Sequence, residues 1–400
     1  MDSLTQIVLG AAVGEVVLGK KIGNRAMVWG AVGGTIPDLD VLGGLFLSNI
    51  DNVAFHRGFS HSILFCILGA FVFGWLAYQL YQSSFHRWLA ILSKSLAGVL
   101  IIAAIQFVIT RFSPDTYWSL MLIIPSVVFG VFLNVKKRYF NDNWSPPQAT
   151  IRNWQWLFFW ALITHPLLDC FTMYGTQLFA PFSDMRVAWS TISVVDPFYT
   201  LPFLVSLITA SRIDRNKKNR RLWNYWGIGI SSFYLVFTVW NKHHIDTLFK
   251  NAAIRQNITI HRSISNPTIL TNILWNYTGE STYYYYVAQY SMLDTKGITF
   301  SKIDKNHQLI SSKNNPTMQT LKWFSDGYYT IHIMEDSWQF SDLRFGTFSG
   351  KGDGPNDFFF RFLLEKDKDG VIQLSKTLSG PPPEKKEQLF PSLIRRIRGI

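Results

Sequence analysis

Apolar runs of bilayer length recur through the first 241 residues of this 400-residue chain and then stop. A hydrocarbon core about 30 Å thick asks for roughly 20 mostly apolar residues per helical span. Runs at 62–81, 88–110, 117–135, 154–171, 197–211 and 223–241 meet or approach that length. Two more, 4–19 and 26–47, are rich in Gly and contain Glu15, Asp38 and Asp40, which makes them weaker spans. The start MDSLTQ has no basic stretch and no small-residue cleavage site, so it does not read as a cleaved signal peptide.

After residue 242 the pattern changes to short runs rich in β-branched and aromatic residues, among them TYYYYVAQYSM, GYYTIHIM, SWQFSDLRFG and DFFFRFLLEK. Turn signals such as SNP, TGE and GKGDGPND separate them. The division predicts an all-α, multi-span membrane domain over 1–242, a mainly antiparallel β domain over 243–380, and a Pro-rich linker with a basic tail over 381–400. Strands such as TYYYYVAQY alternate poorly, which predicts partial cover on both faces and packing onto the membrane domain.

Composition agrees with two unlike halves. Charged residues make up 16%, against about 25% in a soluble domain. Mean hydropathy is only +0.11, as an average over an apolar and a soluble part would be. A disordered chain, a coiled coil and a highly charged nucleic-acid binder are all excluded. Cys66 and Cys170 are the only cysteines and both sit in apolar runs, so a disulfide framework or a Cys-based zinc site is excluded too. Any metal would have to be held by His and carboxylates.

The net charge of +12 invites a nucleic-acid reading, but its placement removes it. Lys20, Lys21 and Arg25 fall in one short loop, Lys136, Lys137, Arg138 and Arg152 in another, and Arg212, Arg215, Lys217, Lys218, Arg220 and Arg221 in a third. The intervening loops hold only Arg57, Arg111 and Arg186. Basic short loops mark the cytoplasmic side, while long domains translocate largely regardless of charge. Segments 48–61, 111–116, 170–196 and everything after 242 are therefore expected outside, with no direct nucleic-acid contact.

Polar residues inside the apolar runs carry the chemistry. Asp38 and Asp40 follow Pro37 in a Gly-rich run, and each acid at membrane depth costs roughly 2.5–3.5 kcal/mol on insertion scales. They serve either a cavity or a helix cap. His56 and His61 bracket Arg57, Gly58 and Ser60. If Ser60 caps a helix starting at His61, both imidazoles can reach one ion; otherwise this is an ordinary interfacial loop. His165 and Asp169, four apart, share a helical face, and Pro166 either kinks that helix or opens a new one whose N-terminus Asp169 serves. Asp196-Pro197 is a further marked pair. The charge rule places these clusters at or toward one membrane face without reference to them. There is no Walker A, G-x-G-x-x-G, G-x-S-x-G or H-E-x-x-H motif, and Ser60 beside His61 lacks a third triad member. A His/carboxylate metal site that activates water is the simplest chemistry left.

MDSLTQIVLGAAVGEVVLG, TIPDLD, HRGFSHS, HPLLDCFTMYGTQLFAPFSD and VVDPFYTLP together resemble the YdjM family over residues 1 to 210. These are membrane-bound proteins predicted to be metal-dependent hydrolases, also described as LexA-binding inner-membrane hydrolases. The β part, with LKWFSDGYYT and SDLRFG, looks like the extension of longer members. More distantly, the spacing of acids and His is similar to zinc-dependent phospholipase C. The resemblance implies a bacterial inner-membrane location and a metal site on Asp38, Asp40, His56, His61, His165 and Asp169. Gln6 stands where many members are expected to carry His.

The resulting expectation is a zinc-dependent hydrolase acting on an ester or phosphoester of an amphiphilic or lipid-linked substrate at the bilayer. His56, His61 and His165 would give nitrogen ligands and Asp38 and Asp169 oxygen ligands. Asp40 would complete a second ion or act as general base, and Arg57 would hold an anionic ester or anchor a lipid headgroup. Two rivals are a non-enzymatic membrane protein with a structural metal and a regulatory or envelope protein partner, and a transporter. The latter calls for inverted repeats, and none is evident in the sequence.

Overall fold

Two glycine-faced helices begin the chain. The computed structural model describes all residues except 87, 90, 93, 97, 99–116, 140–146, 312–314, 336 and 382–385. The expected span over 88–110 and the PPPEKK linker fall mostly, and the loop 111–116 wholly, outside the described residues. Helix α1 covers Ser3–Ile22 and α2 Asn24–Thr35, joined at Gly23 with φ +62°. They run antiparallel in backbone contact. A Cβ on Gly10 would lie 2.3 Å from the Gly30 carbonyl oxygen, one on Gly14 2.1 Å from that of Ala26, and one on Gly34 2.6 Å from that of Gln6. Only glycine permits this approach, and it brings the Gly34 carbonyl and Gln6 to the same end of the hairpin.

The run 26–47 is not one span. Its α-helix stops at Thr35, and Pro37–Leu45 is a 3₁₀ helix. Twelve residues at 1.5 Å rise reach only about 18 Å. Pro37, without an N–H and with φ fixed, starts the tighter segment. Among the described residues, α1 and α4 (Ile63–Gln82) are long and apolar enough to cross a membrane; Pro197–Ser211 is apolar but shorter.

The chain forms two units, Met1–Gly69 with Leu157–Ile400, and Ala70–Trp156. In the second, α5 (Tyr117–Tyr139) carries Pro125 internally, and Tyr81 stacks on Trp154 at 5.4 Å. In the first, α3 covers Asn49–Phe55, α7 Pro197–Ser211 and α8 Lys218–Arg255, while α6 (Ile151–Asp169) begins in the second unit and belongs to the first from Leu157 onward. Basic loops meet: Arg215 Nη1 donates to the Lys21 carbonyl at 2.9 Å, and Asn24 Nδ2 to that of Ser211 at 2.8 Å. Inside, Arg220 makes a two-pronged ion pair with Glu15, Nε–Oε1 and Nη2–Oε2 both 2.6 Å, with each residue 2% exposed.

The C-terminal part is two antiparallel four-stranded meanders, as its composition predicts. Strands β1 (Arg262–Pro267), β2 (Leu274–Glu280), β3 (Tyr284–Ser291) and β4 (Ser301–Asp304) form one. Strands β5 (Tyr329–Ile333), β6 (Trp338–Thr347), β7 (Phe358–Lys366) and β8 (Ile372–Ser379) form the other. Tyr285, Val287 and Ile303 of the first sheet pack on Leu343 and Phe358 of the second. The outer face of the first sheet is covered by α8, where Phe249 stacks on Tyr277 at 4.6 Å beside Ile245 and Trp275. With cover on both faces, every residue from Leu274 to Gly279 is buried, so β2 needs no polar/apolar alternation. Helix α8 is unbroken through residue 242, where the sequence suggested the division. A short helix α9 (Pro316–Phe324) packs Met318, Leu321 and Phe324 onto Phe340 and Phe362, and Val53 of α3 joins this cluster. The sandwich therefore rests on the segment that carries the His56 loop.

Candidate metal centre

Asp38, His61, His165 and Asp169 each offer a ligand atom, and these atoms lie within 4.8 Å of one another. His165 and Asp169 face the group from the end of α6. Asp169 is the last residue of that helix, and Pro166 lies inside it. Asp169 thus sits at a helix C-terminus, where the macrodipole disfavours a carboxylate, and the capping alternative is removed. Asp38 comes from the first turn of the 3₁₀ helix, whose N-cap Ile36 makes no side-chain cap bond, so neither Asp38 nor Asp40 is a cap. His61 ends a second 3₁₀ turn, Phe59–His61. Helix α4 starts two residues later than expected, and Ser62, not Ser60, caps it by accepting from Phe65 N at 3.0 Å.

The hydrogen bonds fix which ring nitrogens point inward. His165 Nδ1 lies 2.6 Å from the Gly34 carbonyl oxygen. A carbonyl only accepts, so Nδ1 carries the proton and Nε2 presents its lone pair. Ser60 Oγ donates to Asp40 Oδ2 at 3.0 Å and so accepts from His61 Nδ1, also at 3.0 Å. The two Nε2 atoms are 3.2 Å apart. His165 Nε2 is 3.3 Å from Asp38 Oδ1 and 3.5 Å from Asp169 Oδ2; His61 Nε2 is 3.6 and 3.5 Å from the same oxygens. With both imidazoles neutral, four acceptor atoms converge, and among the described residues Asp169 Oδ2 is buried with no hydrogen-bond partner beside the Arg57 contact. Such a cluster is unfavourable by itself and is satisfied by a divalent cation. Two imidazoles and two carboxylates form a donor set suited to zinc and to other divalent first-row metals.

Asp40 and His56 stand one layer out. Asp40, 6% exposed, accepts from His56 Nδ1 at 2.9 Å, Arg57 N at 2.8 Å and Ser60 Oγ. It also approaches His61 Nδ1 at 3.4 Å. This is the carboxylate that orients a ligating histidine from behind. Burial pushes its carboxyl up, but the bonds to His56 and His61 outweigh burial and hold it below the usual carboxylate range. The His56 side chain is 30% exposed, and its Nδ1 is turned to Asp40 rather than into the four-atom group.

Arg57 holds φ +57°, and its side chain is buried. Its Nε lies 3.3 Å from Asp169 Oδ2, Nη1 donates to Thr172 Oγ1 at 3.0 Å, and the guanidinium sits 4.9 Å over the Tyr174 ring. It is packed among protein side chains. Gln6 does reach the site: Nε2 donates to Asp169 Oδ1 at 3.0 Å, while its buried Oε1 has no hydrogen-bond partner among the described residues. The Met1 amino group also contacts Asp169. Asp196 is elsewhere, capping α7 through Phe198 N at 3.0 Å and accepting from Tyr234 at 2.9 Å. Residues not singled out from sequence are Thr172, Tyr174 and the Gly34 carbonyl. Tyr174 lay inside the quoted TMYGTQLF stretch, whereas a backbone oxygen has no side-chain signal.

The family model described as YdjM inner membrane protein matches residues 1–245. This chain belongs to the YdjM family. The match ends inside α8, so the β-sandwich follows the YdjM region. The chain is 25% identical over 215 residues to the uncharacterized protein YfhP of Bacillus subtilis strain 168, across 52% of this chain and 45% of that protein. It thus spans less than half the length of that relative. No solved structure matches the chain. YdjM membership and two apolar helices support membrane localisation.

Proposed function

We propose that this YdjM protein is a membrane-bound, metal-dependent hydrolase of an amphiphilic ester or phosphoester, with zinc as the metal. The observation that carries this reading is the convergence of four lone-pair atoms, on Asp38, His61, His165 and Asp169, beside the Asp40–His56 pair. The four would hold the ion. A divalent metal in such a site lowers the pKa of a coordinated water to about 7 and polarises the substrate oxygen. Asp40 keeps the proton of His56 on Nδ1 and leaves Nε2 free to act as base. Because Asp40 already accepts several hydrogen bonds, we assign the base to His56 and a positioning role to Asp40. His56 takes the proton of the attacking water and returns it to the leaving alkoxide. Arg57 holds Asp169 in place. Its buried guanidinium adds positive charge next to where an ester oxygen turns anionic.

The test is a screen of phosphoester and carboxylic ester amphiphiles with purified protein in lipid nanodiscs. Turnover should appear with zinc and be lost on chelation. Metal retained at full occupancy, with no turnover on any substrate, would favour a structural metal in a partner-binding membrane protein.

The same reading makes the protein multi-pass with the site and β-sandwich extracytoplasmic. The Lys/Arg asymmetry and the meeting of the basic loops at Lys21 and Arg215 support it. A reporter fused after Gly350 is expected to be active only outside the cytoplasm. A cytoplasmic signal would overturn the orientation.

A further inference from the structure

A cavity of about 630 Å³ lies between the two β-sheets, the 170–196 loop and the C-terminal helix α10 (Lys386–Ile397). Its size is that of a small-ligand pocket, about 300–1,000 Å³. The walls are mainly apolar: Ile192 and Val195 from the loop, Ile269, Phe345 and Phe360 from the sandwich, and Leu393 from α10. The polar side chains along it are mostly engaged with each other or with backbone. Asn266 donates to Met173 Sδ, Gln289 to Asn276 Oδ1 at 3.1 Å, and Ser193 to the Val195 carbonyl at 2.6 Å. An occupant therefore meets surface that asks for hydrocarbon rather than for hydrogen bonds.

One charge at the rim is different. Arg396 is committed to Asp294, at 2.6 and 2.7 Å, and to the Gln289 carbonyl. The side chain of Arg395, which also lines the cavity, is exposed and has no ion-pair or hydrogen-bond partner among the described residues. The cavity also borders the metal centre. Tyr174 lines it, packs its ring 5.3 Å from that of His56, and lies under the Arg57 guanidinium.

We propose that this cavity binds the hydrocarbon chain of an anionic single-chain amphiphile, with Arg395 taking the anionic head and α10 forming one wall. This deepens the hydrolase reading by giving the substrate's acyl chain a place. The binding can be measured without turnover, so the two ideas fail separately.

The test uses full-length protein in nanodiscs and a diazirine-bearing palmitate, with crosslinked residues mapped by mass spectrometry. Adducts should concentrate on peptides containing Ile269, Phe345 and Leu393 and be competed by excess palmitate. Ser392→Trp places an indole on the exposed helix face at the cavity and should reduce these adducts at least fivefold, while labelling of lipid-facing α4 stays unchanged. Arg395→Ala should weaken labelling by palmitate severalfold but leave labelling by its methyl ester unaltered. Equal labelling in the Ser392→Trp protein, or label confined to α4, would overturn the cavity assignment. An equal effect of Arg395→Ala on acid and ester would overturn the role of Arg395. If labelling behaves as expected and no ester is hydrolysed, the binding site stands and the hydrolase reading falls.

Discussion

Protein carrying His165→Ala should purify with almost no bound divalent metal. His165 contributes one of the four inward lone pairs, and its Nδ1–H is committed to the Gly34 carbonyl, so no other atom of the ring can substitute. Changing only a residue that orients a ligand typically costs about 10–100-fold in metal affinity. Asp40→Asn should fall in that range, since Asp40 sits behind His61 through Ser60. Loss of the ligand itself should exceed it. His307→Ala is the control: that imidazole lies in the β-sandwich, stacked 4.0 Å from the Tyr329 ring with Nε2 on the Tyr329 carbonyl. Elemental analysis of the three proteins, each shown folded by its melting transition, checks the series. Unchanged metal in the His165→Ala protein would end the case for this centre.

The largest loss of stability is expected from Glu15→Ala. The Glu15–Arg220 pair is buried, and removing one partner leaves the guanidinium without its counter-charge. Breaking a buried pair from one side costs about 3–5 kcal/mol, whereas replacing both members by apolar side chains of similar volume is often neutral. The double change Glu15→Leu with Arg220→Met should therefore recover most of the loss. Tryptophan fluorescence during thermal unfolding in detergent separates the cases. A change below about 1 kcal/mol in the single variant would mean that water reaches the pair.

How much of this was legible beforehand differs from element to element. The four atoms of the candidate centre belong to residues the sequence marks, because Asp and His are costly inside apolar runs and therefore conspicuous. What the sequence leaves open is the division of labour. Whether Asp40 faces the ion or backs His61, and whether His56 turns inward, depends on the 3₁₀ turns at Pro37–Leu45 and Phe59–His61. Those turns place side chains three to a turn instead of along an extended stretch. The hairpin of α1 on α2 was foreshadowed only as Gly-rich composition. Its meaning lies in the spacing of Gly10, Gly14, Gly30 and Gly34, which sets the Gly34 carbonyl against His165. The two meanders were readable from β-branched and aromatic runs. The poor alternation of the first reflects helix α8 lying over its outer face, a tertiary fact that local pattern does not carry.

That helix has a mechanical consequence. Thirty-eight residues at 1.5 Å each make a rod of about 57 Å, and the sandwich is fixed to it in a set rotational phase. Asn241 grips Asn272, Lys242 grips Ser265, and Phe249 lies on Tyr277. One residue inserted between Trp226 and Thr238 would turn everything beyond it by about 100° while lengthening the rod by only 1.5 Å. The sheets would then swing away from the His56 loop. An insertion of four residues, a rotation of about 400°, would bring the angle back to within about 40° but displace the sandwich by about 6 Å along the axis. The angular register of one rod thus governs which surface of the sandwich confronts the metal centre.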